Sequence, residues 1–308
     1  MDEKRVTSEL KKVGVIIPTY NNTTELFECI SSLLLSNYKN CTIVIVDDGS
    51  RNEIQEQILT KFKHNSNIKV ICNKANDGFA RVCNLGTLEA KKSQCDLYFF
   101  LNNDTLVKEN TITLMVKEFS SVDVGIVGPK IILYNSGKLD STGGFLDRKT
   151  LDVNNRGYNA LNVEQDQKVE KVDFVSGCAL MIRADLFEKV KGFDERFFLY
   201  SEEVDLCYSV TKSNYKVIYS PFPIVWHHHS KTIGENPYKK SYYLIRSKIF
   251  FVKKWGTKRQ VLNMFIKQVK NAIMSSTIQY MKQVILLGLA LFDGISNNMR
   301  KSKIKWLN

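Results

Sequence analysis

Four apolar, β-rich runs in the amino-terminal third of the chain each end on small polar or acidic residues, and helical stretches separate them. The runs are Val13 to Ile17, Cys41 to Val46, Ile68 to Cys72 and Asp96 to Leu101, rich in Val, Ile, Leu or aromatic residues. They are near-continuous rather than alternating, which predicts strands covered on both faces, as in a parallel sheet. Between them, Thr24 to Leu35 carries Leu26, Ile30, Leu33 and Leu34, and Phe79 to Ala90 carries Val82, Leu85 and Leu88, at helical spacing. The alternation predicts a doubly wound α/β sheet. The polar ends are Pro18-Thr19-Tyr20-Asn21, Asp47-Asp48-Gly49-Ser50, Asn73 through Gly78, and Asn102-Asn103-Asp104. Ligands bind in the crevice beyond the carboxyl ends of such strands, so the four ends place one polar, acidic pocket there and the chain reads as an enzyme.

Asp104 follows its strand directly, with the Asn102 amide two residues earlier able to reach the same ligand. Hard oxygen donors of this kind suit Mg²⁺ or Mn²⁺ held jointly with substrate phosphates, although Asn-Asn-Asp also caps helices and builds turns. Neither the GxGxxG dinucleotide fingerprint nor the phosphate loop GxxxxGK[ST] occurs, which argues against a nicotinamide enzyme or a P-loop hydrolase. Further along, Gly192-Phe193-Asp194-Glu195 and Ser201-Glu202-Glu203-Val204-Asp205 place acids close behind aromatic residues. Partial desolvation makes such acids candidates for a general base; the competing reading is a helix start with Ser201 as cap.

Charge is divided unevenly. Residues 231–308 hold 16 Lys and Arg against Glu235 and Asp293, a net of +14; with 44 basic and 32 acidic residues in all, the first 230 hold 28 and 30, a net of −2. Tyr238, Tyr242, Tyr243, Phe250, Phe251, Trp255, Phe265 and Tyr280 interleave that charge, and the apolar run Val284 to Phe292 follows, too short for a bilayer-spanning helix of ~20 residues. Two readings stand: a segment lying on an anionic membrane surface, or helices packed on the preceding domain with solvated lysines. No nucleic-acid motif occurs. The seven cysteines are odd in number and lack CxxC spacing, so buried free thiols are expected. The charged start lacks an apolar h-region, which predicts a cytoplasmic protein.

The order of these motifs resembles the family 2 glycosyltransferases of the GT-A fold, especially their rhamnosyltransferase-like branch. The matching elements are Ile17-Pro18-Thr19-Tyr20-Asn21, Val46-Asp47-Asp48-Gly49-Ser50, Asn76-Asp77-Gly78-Phe79-Ala80 with Asn84-Leu85-Gly86, Asn102-Asn103-Asp104, Gly192-Phe193-Asp194-Glu195, Glu202-Glu203-Val204-Asp205-Leu206 and Val225-Trp226-His227. The resemblance implies a catalytic domain over 1–230, with a nucleotide-binding half (1–105) and an acceptor half (106–230), and a basic amphipathic helical extension over 231–308. It implies donor contacts from Pro18, Thr19, Tyr20, Asn21, Asp48, Asn76, Gly78, Asn84 and Asn103. Arg81 stands where a small residue is common and is expected to pair with the donor diphosphate. Asp104 is expected to hold the metal with Asn102, which replaces a common Asp, and His227. Glu203 is expected to be the base, with Glu202 and Asp205 as competitors, and Asp194 and Gly177 are placed on the acceptor side.

The implied activity is inverting transfer of a sugar, rhamnose by this branch, from a nucleotide-diphosphate donor to a glycan or polyprenyl-diphosphate-linked acceptor in cell-surface polysaccharide synthesis. The cofactor implied is Mg²⁺ or Mn²⁺, and the location is the inner face of the cell membrane, held peripherally by the extension. Two rivals stand beside it. A sugar nucleotidyltransferase would open with a glycine-rich, arginine-containing loop where this chain has Pro18 to Asn21. A catalytically silent scaffold would be expected to have lost acids that are present here, Asp48, Asp104, Glu203 and Asp205.

Overall fold

A computed structural model describes residues 10–162, 168–228, 237–274, 288–290, 292–294 and 296. The chain runs β1 (Val13–Thr19), α1 (Thr24–Leu34), β2 (Cys41–Asp47), α2 (Asn52–Phe62), β3 (Ile68–Cys72), α3 (Phe79–Lys92) and β4 (Leu97–Leu101). Then come β5 (Thr105–Val107), α4 (Thr111–Glu118), β6 (Val124–Leu133), β7 (Leu139–Ser141), β8 (Gly144–Leu146), β9 (Val153–Asn155) and β10 (Glu170–Lys171). The remainder is β11 (Ala179–Arg183), α5 (Ala184–Lys189), α6 (Glu202–Lys212), β12 (Lys216–His227), α7 (Pro237–Trp255) and α8 (Lys258–Met274).

One sheet has the order β10-β12-β6-β11-β4-β1-β2-β3, with β5 paired to β12 and β7 to β6; β8 and β9 form a separate hairpin. The predicted parallel core is present: β1 pairs in parallel with β2 and β4, β2 with β3, and β12 with β6. The departure from a wholly parallel sheet is β11, which runs against both β4 and β6. No α-helix lies between β6 and β11 in the described chain; the segment between them carries β7 on β6, the β8–β9 hairpin and β10 on β12, and β11 then enters between β6 and β4. A parallel strand would have needed a crossover.

Both faces of the sheet are covered, as near-continuous apolar strands require. Ile16, Val44, Phe100 and Leu180 face α3, α5, α6 and α7, while Val15, Ile45, Phe99 and Met181 face α1, α2 and α4. Alternation thus sorts residues between two cores rather than between core and water. All seven thiols are free, and five are buried.

Of the two readings of the aromatic stripe in the extension, packing is what α7 displays. Tyr242, Tyr243, Phe250 and Phe251 are buried. Phe250 stacks edge-on to Phe197, and Tyr208 on α6 meets both Phe251 and Trp255. Tyr280, the Phe265 side chain and Val284 to Leu287 lie outside the described residues. Among the described residues, no helix is long and apolar enough to cross a membrane.

Candidate active site

The chain moves outward from β1 through β2 to β3 and then returns to place β4 on the other side of β1, so the crevice of this sheet opens at the β1/β4 junction. Asn103 closes that junction by donating from Nδ2 to Thr19 Oγ1 at 2.8 Å. Asn21, in the left-handed region at φ 50°, donates its N–H to Ser50 Oγ at 2.7 Å and ties the loop after β1 to that after β2. Pro18 and Tyr20 are half-buried between these anchors. Asp47 is fully buried and organises its own turn, accepting from Ser50 N–H at 2.9 Å and Gln55 Nε2 at 2.7 Å.

Asp48 reaches across to the next loop. Its Oδ1 accepts from Asp77 N–H at 2.8 Å and its Oδ2 from Gly78 N–H at 3.0 Å. Burial pushes its carboxyl up to about 6, against the lowering effect of those two amides. Asn76 is half-buried in the same loop. Gly78 is required where it stands: φ is +93°, and a Cβ there would come within 2.4 Å of Phe198 O. This contact presses the loop before α3 against the segment that leads into α6.

Two donors come together at the far side of the junction. Antiparallel pairing sets His227 opposite Thr105, and His228 N–H donates to Asp104 O at 2.9 Å, so the register of β5 on β12 fixes Asp104 beside His227. His227 Nε2 lies 3.3 Å from Asp104 Oδ1, and its Nδ1 lies 2.7 Å from Asp140 Oδ2. Burial opposes protonation of this imidazole, but Cys178, Asp104 and Asp140 around it push its pKa well above the usual histidine range. Asn102 is half-buried, with its N–H held by Cys178 O at 2.9 Å.

The three acids at the start of α6 separate into different environments. Glu202 is buried, its Oε2 without a hydrogen-bond partner, and burial with Glu203 alongside pushes its carboxyl well above the ordinary range. Glu203 is half-buried against Gly177, where a Cβ would stand 3.3 Å from its own; burial raises this carboxyl too, partly offset by backbone N–H groups of the helix start. Asp205 is engaged by Lys254 Nζ at 2.8 Å and Trp255 Nε1 at 2.7 Å. Asp194 pairs with Arg196 at 2.6 Å and Lys254 at 2.8 Å; burial raises it, but the two cations prevail and bring it to about 2.

The structure gives the two residues expected near the diphosphate on α3 different surroundings. The Asn84 amide donates to Phe193 O at 2.9 Å and accepts from Phe193 N–H at 3.0 Å, so it holds the loop around Asp194. Arg81 is 59% exposed and lies 3.5 Å from Asp77.

The sequence profile described as Glycosyl transferase family 2 matches residues 14–191, more than half of the chain. The chain belongs to this family. Among curated relatives, Pre-mycofactocin glycosyltransferase of Mycobacterium tuberculosis is 24% identical over 233 residues, covering 76% of this chain and 46% of its own, so this chain spans about half the length of that relative. N-acetylglucosaminyl-diphospho-decaprenol L-rhamnosyltransferase of the same species is 25% identical over 247 residues, covering 72% and 78%. Glycosyltransferase GlyG of Streptococcus pneumoniae is 23% identical, covering 70% and 75%. Two solved structures share the fold: GalNAc-T7 with UDP, GalNAc and Mn²⁺ (TM-score 0.66, 16% identity, 97% of this chain and 56% of that one), and the mannosyltransferase PcManGT from Pyrobaculum calidifontis with GDP-Man and Mn²⁺ (0.60, 13%, 95% and 88%). The architecture is therefore GT-A.

In this family 2 chain the donor set suits a hard divalent cation. Asp104 supplies a buried carboxylate oxygen and His227 an imidazole nitrogen whose other nitrogen is oriented by Asp140, the usual support of a metal-binding histidine. Among the described residues no three His, Cys, Asp or Glu side chains form a ready-made metal cage. Asp140 and Lys254 escaped the sequence reading, in which Trp255 figures only as one of the aromatic residues of the extension. Asp140 sits on a three-residue strand whose pairing with β6 carries it to His227, and nothing in its local sequence signals that neighbour.

Proposed function

We propose that this chain transfers a sugar from a nucleotide-diphosphate donor to an acceptor hydroxyl, with inversion of the anomeric configuration. The observation that carries the reading is the Asp104–His227 pair, backed by Asp140, at the mouth of the β1/β4 crevice. Asp104 and His227 would hold Mg²⁺ or Mn²⁺, which when bound neutralises charge on the departing nucleotide diphosphate. That diphosphate is a stable anion, so departure needs no general acid. Pro18 to Asn21 and Asn103 line the nucleotide side, and Asp48 shapes the loop carrying Asn76 and Gly78. Glu203 takes the proton from the acceptor hydroxyl as its oxygen attacks the anomeric carbon; a desolvated carboxylate with a raised pKa suits that role. A single displacement from the opposite face inverts the centre.

Of the three acids, Glu203 is preferred because Asp205 is engaged by α7 and Glu202 is buried with its Oε2 unpartnered. The decaprenol-linked rhamnosyltransferase among the relatives supports rhamnose as the sugar, a polyprenyl-diphosphate-linked glycan as the acceptor, and a role in cell-surface polysaccharide synthesis. The net +14 of residues 231–308 supports peripheral attachment to an anionic inner membrane face, where such an acceptor resides.

The test is thermal stability of the protein with Mn²⁺ or Mg²⁺ across a panel of nucleotide sugars, combined with release of nucleotide diphosphate. A bound donor raises apparent stability by RT ln(1 + [L]/Kd). A metal-dependent response to one donor, abolished in Asp104→Ala and shifted to ~10–100-fold higher metal concentration in Asp140→Asn, is the expected result. No response to any nucleotide sugar would overturn the reading.

A further inference from the structure

The link into α6 is strained, and its N-cap side chain does not brace it. Tyr200 and Ser201 are both left-handed, each with φ +67°, and the Ser201 side chain makes no capping hydrogen bond to the helix it precedes. Two successive non-glycine residues in that region are costly and persist only where surrounding structure imposes the geometry. The next residues are Glu202 and Glu203, so the position of the proposed base depends on whatever imposes that geometry.

Besides the loop before α3, which holds Phe198 O through Phe79 N–H, the surrounding structure is α7. Ser247 Oγ donates to Leu199 O at 2.8 Å, immediately before the strained pair. The Tyr243 ring packs on Phe198 with centroids 5.3 Å apart. At the other end of the helix, Lys254 Nζ bridges Asp194 Oδ2 and Asp205 Oδ2, each at 2.8 Å, and Trp255 Nε1 takes Asp205 Oδ1 at 2.7 Å. Asp205 is 3% exposed, so it is an acid whose burial depends on these partners. α7 is itself fixed from behind: Lys248 and, from α8, Lys267 pair with Asp152, and Gln260 donates to Arg148 O at 3.0 Å.

We propose that Ser247, Lys254 and Trp255 of α7 are positioning residues for Glu203, so that the carboxyl-terminal extension is a working part of the catalytic centre. Lys254 joins the Asp194 loop to the first turn of α6, Trp255 sets the rotation of that turn, and Ser247 holds the backbone entering it. None of the three touches the crevice residues around Thr19, Asn103 and Asp104; their effect passes through α6. The proposal rests on the reading of Glu203 as base.

The experiment uses the full chain and its Lys254→Met, Lys254→Arg, Trp255→Phe and Ser247→Ala variants, with two readouts. Amide hydrogen exchange over residues 199–206 requires no activity, and the expected result is faster exchange there in Lys254→Met and Trp255→Phe, with the strands β1 and β4 unchanged. Steady-state kinetics is expected to show kcat lowered about tenfold or more with donor KM held within about twofold, since a misplacement of ~1 Å costs on the order of 100-fold in rate. Lys254→Arg, keeping the charge and both carboxylate contacts, is expected to recover most of kcat. Should Lys254→Met fail to fold, Trp255→Phe and Ser247→Ala decide, because they keep ring packing and backbone intact. Unchanged exchange over 199–206 overturns the clamp, and faster exchange with unchanged kcat overturns its role in catalysis. A wild-type chain inactive on every nucleotide sugar refutes the function proposed above and leaves the exchange result to judge the clamp alone.

Discussion

Glu202 and Glu203 are neighbours of the same residue type, yet one is buried and the other half-buried, and the proposed mechanism gives them different tasks. Glu202 is buried with an oxygen that no group satisfies, so its neutral form is the one the fold tolerates. A protonated glutamate and a glutamine have nearly the same shape and the same lack of charge, and Glu202→Gln is expected to leave kcat close to that of the wild type. Glu203→Gln removes the proposed proton acceptor and is expected to lower kcat by ~10²–10⁴-fold with donor KM little changed. Initial rates at saturating donor distinguish the two; equal losses would remove Glu203 from its role. Asp48 gives a second test at this scale. Its pKa lies at about 6, above the ordinary value of 3.8, so its contribution to global stability is present below pH 3.8 and lost as pH rises through 6. The hydrogen bonds from Asp77 and Gly78 favour its ionised form, so order in the donor loop runs the other way. Donor KM is expected to rise as pH falls through about 6, with Asp48→Asn flattening that limb; an unchanged pH profile in the variant would detach Asp48 from donor binding.

Gly78 joins two elements, the start of α3 and the approach to α6, and a pair of alanine substitutions separates the two constraints on it. Gly137 has a similar requirement for positive φ (+67°) but open space around it, whereas a Cβ at Gly78 would meet Phe198 O at 2.4 Å. Gly137→Ala is expected to cost ~1 kcal/mol from backbone strain alone. Gly78→Ala is expected to cost about 2 kcal/mol or more, because a carbonyl oxygen held by Phe79 N–H at 3.2 Å must also give way. Chemical denaturation midpoints compare them, and equal losses would mean that the contact with Phe198 carries no constraint. The same elements show what was legible beforehand. Strands β1 to β4 and helices α1 and α3 were readable because burial on both faces leaves an unbroken apolar run and helices leave a 3.6-residue period, both local signals. Motif order singled out Asp104, Glu203 and His227, and the fold brings the first and last of these to 3.3 Å from each other. Antiparallel β11 was not readable, because strand direction follows from the path between β6 and β11. Nor were the ties from Asn84 to Phe193, from Asp140 to His227 and from Lys254 to Asp205, which join residues 109, 87 and 49 positions apart. Each depends on distant elements meeting, and neither end carries a local mark of the other.

Across the whole molecule, charge and apolar surface have parted company. The first 230 residues are nearly neutral at −2 and the last 78 carry +14, but the aromatic residues of α7 that could have entered a bilayer are packed against α6 and the segment before it. Exposed apolar side chains on the described part of the extension are Leu244 at 40%, Leu262 at 58%, Ile266 at 43% and Phe292 at 69%, scattered along the segment. The proposed membrane attachment would then draw on Coulombic attraction, at about 1 kcal/mol for each cation close to an anionic surface. Insertion and attraction differ in their response to salt: apolar burial strengthens slightly with ionic strength, while attraction fades as the screening length falls from ~30 Å at about 0.01 M to ~3 Å at about 1 M. Sedimentation with vesicles containing phosphatidylserine is expected to capture the full chain at the lower salt and release nearly all of it at the higher, with neutral phosphatidylcholine vesicles capturing little at either. Binding that survives the higher salt would mean that apolar insertion dominates, and no binding at the lower salt would remove the membrane from the function while leaving the Asp104–His227 and Glu203 predictions to be judged on their own.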